Sequence, residues 1–177
     1  GQTVSLLNSR NQAIRSLARV HLQGNELNAD TVWQDFQESL RIQGQVDLGQ
    51  EVFTKHCGIC HQKAGNLGVA FGPDLAAVQN RNKTALLVDI LQPNKSIADG
   101  FELWTMTLVS GNSLSGIISQ QSPTTLTIRD ATGQETTIDR DDIKALKASE
   151  WSAMPENLHA QISQQEMAHL LAFLKST

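Results

Sequence analysis

Both cysteines of this 177-residue chain, Cys57 and Cys60, stand in the stretch FTKHCGICHQKAGNLGVAFGPDL, and His61 follows the second at once. Two thiols separated by two residues serve three chemistries: zinc binding, thiol–disulfide exchange, and covalent haem attachment by C-x-x-C-H. A structural zinc site needs four donors, from two such pairs or from one pair and two closely spaced histidines. His56, His61, His159 and His169 are present, but no H-x₃₋₅-H pair accompanies the cysteines at finger spacing. A thioredoxin-like pair follows a strand and opens a helix inside a βαβ unit, whereas this pair follows an amphipathic helical pattern. In the third chemistry each thiol adds to a vinyl group, and the short spacing leaves His61 little choice but to sit beneath the metal. Five residues also match such a pattern by chance, so the flanking elements must decide.

Those elements begin with two helical patterns in residues 1–46. Ile14, Leu17, Ala18 and Leu22 form the first, closed by Gly24; Val32, Trp33, Phe36 and Leu40 form the second, with Asp30 as its cap and Gly44 as its stop. A third helix, DLGQEVFTKHC, starts at Asp47 with Leu48, Val52 and Phe53 on one side and runs straight into the cysteines. Beyond a Gly- and Asn-rich loop, Asn82 caps KTALLVDILQ, whose stripe is Leu86, Leu87, Ile90 and Leu91, and Pro93 ends it.

The apolar period then drops from about 3.6 to 2. Trp104, Met106 and Leu108 alternate with Thr105 and Thr107, and SLSGIIS, TLTIRD and ETTID are short strands between turn signals. Residues 101–145 thus read as a small antiparallel β meander set into a helical protein. Ser163 and Glu166 form a capping box for the last helix, whose face is Met167, Leu170, Leu171 and Leu174.

Composition narrows the classes. Hydrophobic residues make up 40% and charged residues 18%, enough for one globular domain with a real core. A net charge of −4 gives no support for nucleic-acid or anionic-membrane binding, which needs clustered Lys and Arg. No apolar run approaches the roughly 18 residues of a membrane span, and the opening residues lack the regions of a signal peptide. The chain therefore reads as a mature protein or as a piece of a longer one.

Gly49 and Phe53 in the helix before the thiols, then Cys57-Gly58-Ile59-Cys60-His61, GPDL at residues 72–75, a central helix, a Met-Pro loop and a C-terminal helix together resemble a class I cytochrome c. More narrowly, GQEVFTKHCGICHQ, GPDLAAV, ILQPNKSIADGFELWTMTLVSGNSLSG, TLTIRDATGQETTI and AMPENL look like the haem-binding domain described in Planctomycetes and Verrucomicrobia. The likeness covers roughly residues 47–177 and leaves residues 1–46 as a helical extension, the end of an upstream domain. It implies a mainly α cytochrome c fold interrupted by the β insertion. It further implies one haem c bound through Cys57 and Cys60, with His61 as proximal ligand, Pro73 holding the other imidazole nitrogen, Leu75 packing on the ring and Met154 as distal ligand.

Other residues carry weaker expectations. His159, five positions past Met154, is a substitute ligand or a solvated loop residue; Met106 and Met167 are packing residues; His21, His56 and His169 are surface or boundary residues. Gly49, Phe53, Leu170 and Phe173 are expected at a crossing of first and last cytochrome helices. Phe71, Ile90, Trp104 and Trp151 are candidates for the crevice wall and Arg81 for a propionate partner. With both axial positions filled, the resemblance implies outer-sphere electron transfer rather than catalysis, to a redox partner or an attached dehydrogenase domain in the periplasm or its equivalent. A haem sensor or peroxidase with an open or labile distal site is the alternative.

Overall fold

A computed structural model describes residues 30–176. The pattern at Ile14–Leu22 and His21 lie outside the described residues. Helix α1 covers 30–36 and tightens into a 3₁₀ turn, Gln37–Leu40. Helix α2 is Val46–His56, α3 Lys83–Leu91 and α4 Gln164–Leu174. A two-residue pair, β1 (Gln62–Lys63) and β2 (Leu67–Gly68), follows the cysteines.

Capping follows the sequence closely. Asn82 Oδ1 accepts the Ala85 N–H at 2.7 Å, opening α3. Ser163 and Glu166 exchange hydrogen bonds at the start of α4, the Glu166 carboxylate accepting the Ser163 N–H at 2.8 Å. The apolar faces of these helices meet in one core that includes Val52, Phe53, Leu87, Ile90, Met167, Leu170 and Leu171. Leu48, expected on the buried side of α2, is 37% exposed.

At the crossing of α2 with α4, a Cβ built on Gly49 would lie 2.0 Å from the His169 carbonyl oxygen and 2.6 Å from Phe173 Cβ. Only glycine allows that approach. One turn on, the Phe53 and Phe173 rings meet with centroids 5.3 Å apart at 50°.

The expectation of a mainly α fold is overturned. Of the described residues 35% are helical and 23% are in strands, including a five-stranded antiparallel sheet. Its strands are β3 (Trp104–Leu108), β4 (Ser113–Gln121), β5 (Thr125–Arg129), β6 (Glu135–Asp139) and β7 (Ile143–Ala148). The order is β6-β5-β4-β3-β7, so the last strand returns to the first and the sheet is more than a meander. Strand β7, IKALKA, escapes a period-2 reading because Ala and Lys are poor strand formers and its large apolar residues, Ile143 and Leu146, are three apart, sharing the core only through the register shift opposite Thr107/Leu108.

The sheet must curl. Its outer strands β6 and β7 would stand about 19 Å apart if it were flat. They are joined by one 3₁₀ turn, Arg140–Asp142, and a link from Asp139 to Ile143 reaches at most about 14 Å. Register shifts at Thr107/Leu108 and Ile118/Gln120 supply local bends. The curled sheet encloses its own core of Met106, Leu126 and Ile128, with Leu114, Ile118 and Leu146 around them. It is a small barrel-like unit.

The barrel interrupts the helices at little cost because β3 and β7 are neighbours. Ser149 donates its N–H to the Leu103 carbonyl at 2.7 Å, so the chain leaves the barrel where it arrived. Asn94 Oδ1 then accepts the Ser152 N–H at 2.7 Å, joining the end of α3 to the segment that follows the barrel.

Two substitutions test this packing by urea denaturation. Gly49→Ala forces α2 off a backbone carbonyl and should cost at the upper end of about 1–3 kcal/mol or more. Met106→Ala empties the centre of the barrel core and should cost about 2–5 kcal/mol.

Candidate functional site

Helix α2 ends where the thiols begin. Cys57 N–H still donates to the Phe53 carbonyl at 2.8 Å, and His61 N–H to the Cys57 carbonyl at 2.8 Å, so the five residues from Cys57 to His61 form turns continuous with the helix. The chain then loops out through β1 and β2 and returns beneath them. Val69 donates to the Gly58 carbonyl at 2.9 Å, while Phe71 and Gly72 donate to the Cys60 carbonyl at 3.0 and 2.6 Å. Residues 69–72 are thereby hooked to the carbonyls of the thiol segment.

Consequently Gly72 lies against the His61 ring, where an added Cβ would fall 2.4 Å from Cε1. The next residue, Pro73, accepts a hydrogen bond from His61 Nδ1 at 2.9 Å. That bond places the ring proton on Nδ1 and leaves the Nε2 lone pair free for a metal. Burial lowers the His61 pKa from its ordinary value, and the Pro73 bond opposes this only in part, so the ring is held in its neutral, ligating form.

Both thiols are unpaired. Burial, and then the neighbouring Cys60, push the Cys57 thiol up to about 12, and burial also raises Cys60. A thiol–disulfide catalyst needs the opposite shift. Among the described residues no three His, Cys, Asp or Glu side chains are gathered as a metal-binding group.

Met154 lies in the irregular segment before α4. Ser152 is held by Asn94, and Met154 N–H donates to Ser152 Oγ at 3.1 Å. Met154, Leu75 and Cys57, three residues expected to share one cofactor, are all half-buried and packed against the helical core. A cysteine pair at a helix end and an imidazole with a fixed tautomer and a free Nε2, with Gly72 leaving room beside the ring, fit the attachment of a covalent haem.

The sequence model of the cytochrome c family matches residues 46–177. The chain belongs to the cytochrome c family. Its cofactor is covalently bound haem c and its cysteine pair has the matching spacing. Among curated proteins none matches the chain. Among solved structures, an Hfq protein from Anabaena sp. is similar at 23% identity over 37% of this chain and 92% of that one, with a TM-score of 0.25, too low to carry an argument.

In this cytochrome the other candidates separate clearly. The His159 ring stands edge-on to Phe36, centroids 6.5 Å apart, with Nδ1 3.2 Å from the Glu156 carbonyl. Arg81 pairs with Asp89 at 3.0 Å. Met106 and Met167 are fully buried packing residues, one in each core. Phe71 and Ile90 are buried; Trp104 sits on β3, and Trp151 is 59% exposed. His56 is half-buried at the end of α2. His169, expected near the surface, is buried: Gln45 N–H donates to its Nδ1 at 2.8 Å, joining α4 to the start of α2. No helix among the described residues is long and apolar enough to cross a membrane.

Two residues escaped the sequence reading. Lys63 is 8% exposed, its ammonium donating to the Ser176 carbonyl at 2.8 Å and lying 4.5 Å above the Phe173 ring. Asp74 accepts three backbone N–H bonds, from Ala64 at 2.9 Å, Gly65 at 2.8 Å and Ala76 at 2.8 Å. Ala64 (φ 55°) and Gly65 (φ 71°) are both left-handed, and Asp74 holds this unfavourable turn while capping the 3₁₀ turn Leu75–Val78. Its place between Pro73 and a short apolar run was the available signal.

The bond from Ala76, then those from Ala64 and Gly65, hold the Asp74 carboxyl below its ordinary value. A lowered folded-state pKa stabilises the protein above the unfolded value, and this contribution fades as pH falls through the folded one. Asp74→Ala should therefore cost about 1–2 kcal/mol at neutral pH. The gap to wild type should narrow below about pH 4 in denaturation series.

Proposed function

We propose that this cytochrome c carries one haem, anchored by thioethers to Cys57 and Cys60, with His61 and Met154 as axial ligands, and that it performs outer-sphere electron transfer. The observation that carries this reading is the His61 Nδ1 to Pro73 bond, which commits one ring nitrogen to protein and frees the other beside two unpaired thiols. Bound haem supplies the one-electron iron couple; His/Met ligation and exclusion of water raise its potential.

The chain's own residues do the rest. Pro73 fixes the imidazole tautomer and strengthens His61 as a donor. Leu75 and Met154 both lie against the helical core, where Leu75 would pack on the ring and Met154 would supply the second ligand. Pro155 stiffens the loop that presents Met154. His159 and Arg81, the groups closest in type to a peroxide-cleaving pair, have other partners, at Phe36 and Asp89. The reading is thus an electron carrier rather than an enzyme.

Its setting follows from the chemistry. Covalent haem attachment takes place outside the cytoplasmic membrane, so we place the domain in the periplasm or an equivalent compartment. The motifs shared with the Planctomycetes and Verrucomicrobia haem-binding domain favour residues 47–177 as a module within a larger redox protein, with α1 packed onto its core through Val32 and Phe36. Its partner is then an attached dehydrogenase domain or a separate redox protein.

The test is an absorption spectrum of oxidised and reduced protein, expressed with haem-maturation machinery, for wild type and Met154→Ala. The expected result is a low-spin reduced spectrum and a weak oxidised band at about 695 nm that disappears in the variant. A high-spin, carbon-monoxide-binding wild type unchanged by the substitution would overturn the Met154 assignment and favour a sensor or peroxidase.

A further inference from the structure

The barrel touches the haem loop through Arg129 and at Gly133. Ile117, Arg129 and Glu135 are direct cross-strand partners on β4, β5 and β6 and therefore share one face of the sheet. Arg129 Nε and Nη2 donate to Glu135 Oε1 at 3.0 and 2.7 Å, and Nη1 donates to the Ala70 carbonyl at 2.8 Å. The face is covered there: Ile117 is 5% exposed, although it lies outside the barrel core. At the β5–β6 turn, a Cβ on Gly133 would fall 3.1 Å from Val69 Cγ1.

Ala70 is the middle of the loop that returns beneath His61. Its neighbours send their N–H groups inward, to the carbonyls of Gly58 and Cys60, while its own carbonyl points outward to Arg129. The loop is held from two sides, and two residues later the same backbone reaches Gly72 and Pro73 at the imidazole. We propose that Arg129 is a positioning residue for His61, by which the barrel fixes the loop that carries the Pro73 carbonyl. This rests on the haem reading above.

The guanidinium acts through geometry rather than through its field. Hydrogen bonding from Arg129 lowers the Glu135 pKa, so the partner is ionised and the pair is close to neutral. A well-placed Pro73 carbonyl makes the imidazole a stronger donor and favours ferric iron. Loosening the loop weakens that donor and shifts the reduction potential positive. Arg129→Met alone leaves the Glu135 carboxylate unpaired, which shifts the potential negative. Replacing both residues by neutral ones keeps the net charge and leaves the geometric effect to be read.

The experiment uses the haem-loaded protein as wild type, Arg129→Met/Glu135→Gln, Arg129→Lys and Glu135→Gln. Covalent haem is measured first, as a pyridine haemochrome, then the reduction potential, then amide hydrogen exchange. The expected result for the double variant is a positive shift in potential and exchange at Val69, Phe71 and Gly72 faster by about tenfold or more. Core amides at Leu87 and Leu171 should keep their rates. Arg129→Lys, which keeps the charge and still reaches one carbonyl, should stay close to wild type in both; Glu135→Gln, whose lost charge by itself raises the potential, is read by exchange, which should accelerate at the same amides by less. That exchange decides the matter if the double variant does not fold. An unchanged or negative potential, or exchange that accelerates equally at Leu87, would overturn the proposal while leaving the haem reading intact. A wild type without covalent haem would overturn both.

Discussion

The contact between α2 and α4 at Gly49 governs everything built on it. With no side chain between them, the backbone of α2 rests on the His169 carbonyl, and three further ties run along the same helix. Gln45 at the start of α2 donates to the His169 ring, Phe53 meets Phe173, and Lys63 beyond the thiols reaches the Ser176 carbonyl at the end of α4. The thiol segment lies between the second and third of these ties. Its position is therefore set by a rigid helix pair rather than by a loop, as a covalently anchored cofactor requires.

Around His61 the organising principle is that buried polar groups need partners. The carbonyls of Gly58 and Cys60 are taken by amides of residues 69–72, and this brings the Pro73 carbonyl to Nδ1. Asp74 absorbs the N–H groups of the left-handed turn at Ala64 and Gly65 as well as opening the next 3₁₀ turn. The GPDL segment thus works residue by residue: Gly72 clears the ring, Pro73 holds it, Asp74 closes the loop and Leu75 turns into the core.

The barrel is a second folding problem solved within the first. It has its own apolar centre, and its first and last strands are paired, so the host chain is interrupted without its ends being separated. Its outer face meets the haem loop through Arg129, whose planar fork reaches a carboxylate and a carbonyl together. That makes the insertion part of the wall around the site rather than an appendage.

The features legible in the chain alone were local. The caps at Asn82 and Ser163, the stripes of α3 and α4, the small residue at Gly49 and the C-x-x-C-H group all follow from rules that act within a few residues. The Pro73 bond was implied by the resemblance of GPDL to the class I cytochrome c motif rather than by a local rule. The balance of helix and strand, the return of β7 to β3, the burial of Lys63 and His169 and the reach of Arg129 to Ala70 belonged to the tertiary structure. Each joins residues far apart in the chain, where periodicity carries no information about pairing. IKALKA becomes a strand only because β3 offers it an open edge, and a lysine or histidine is buried only where a distant carbonyl or amide is waiting for it.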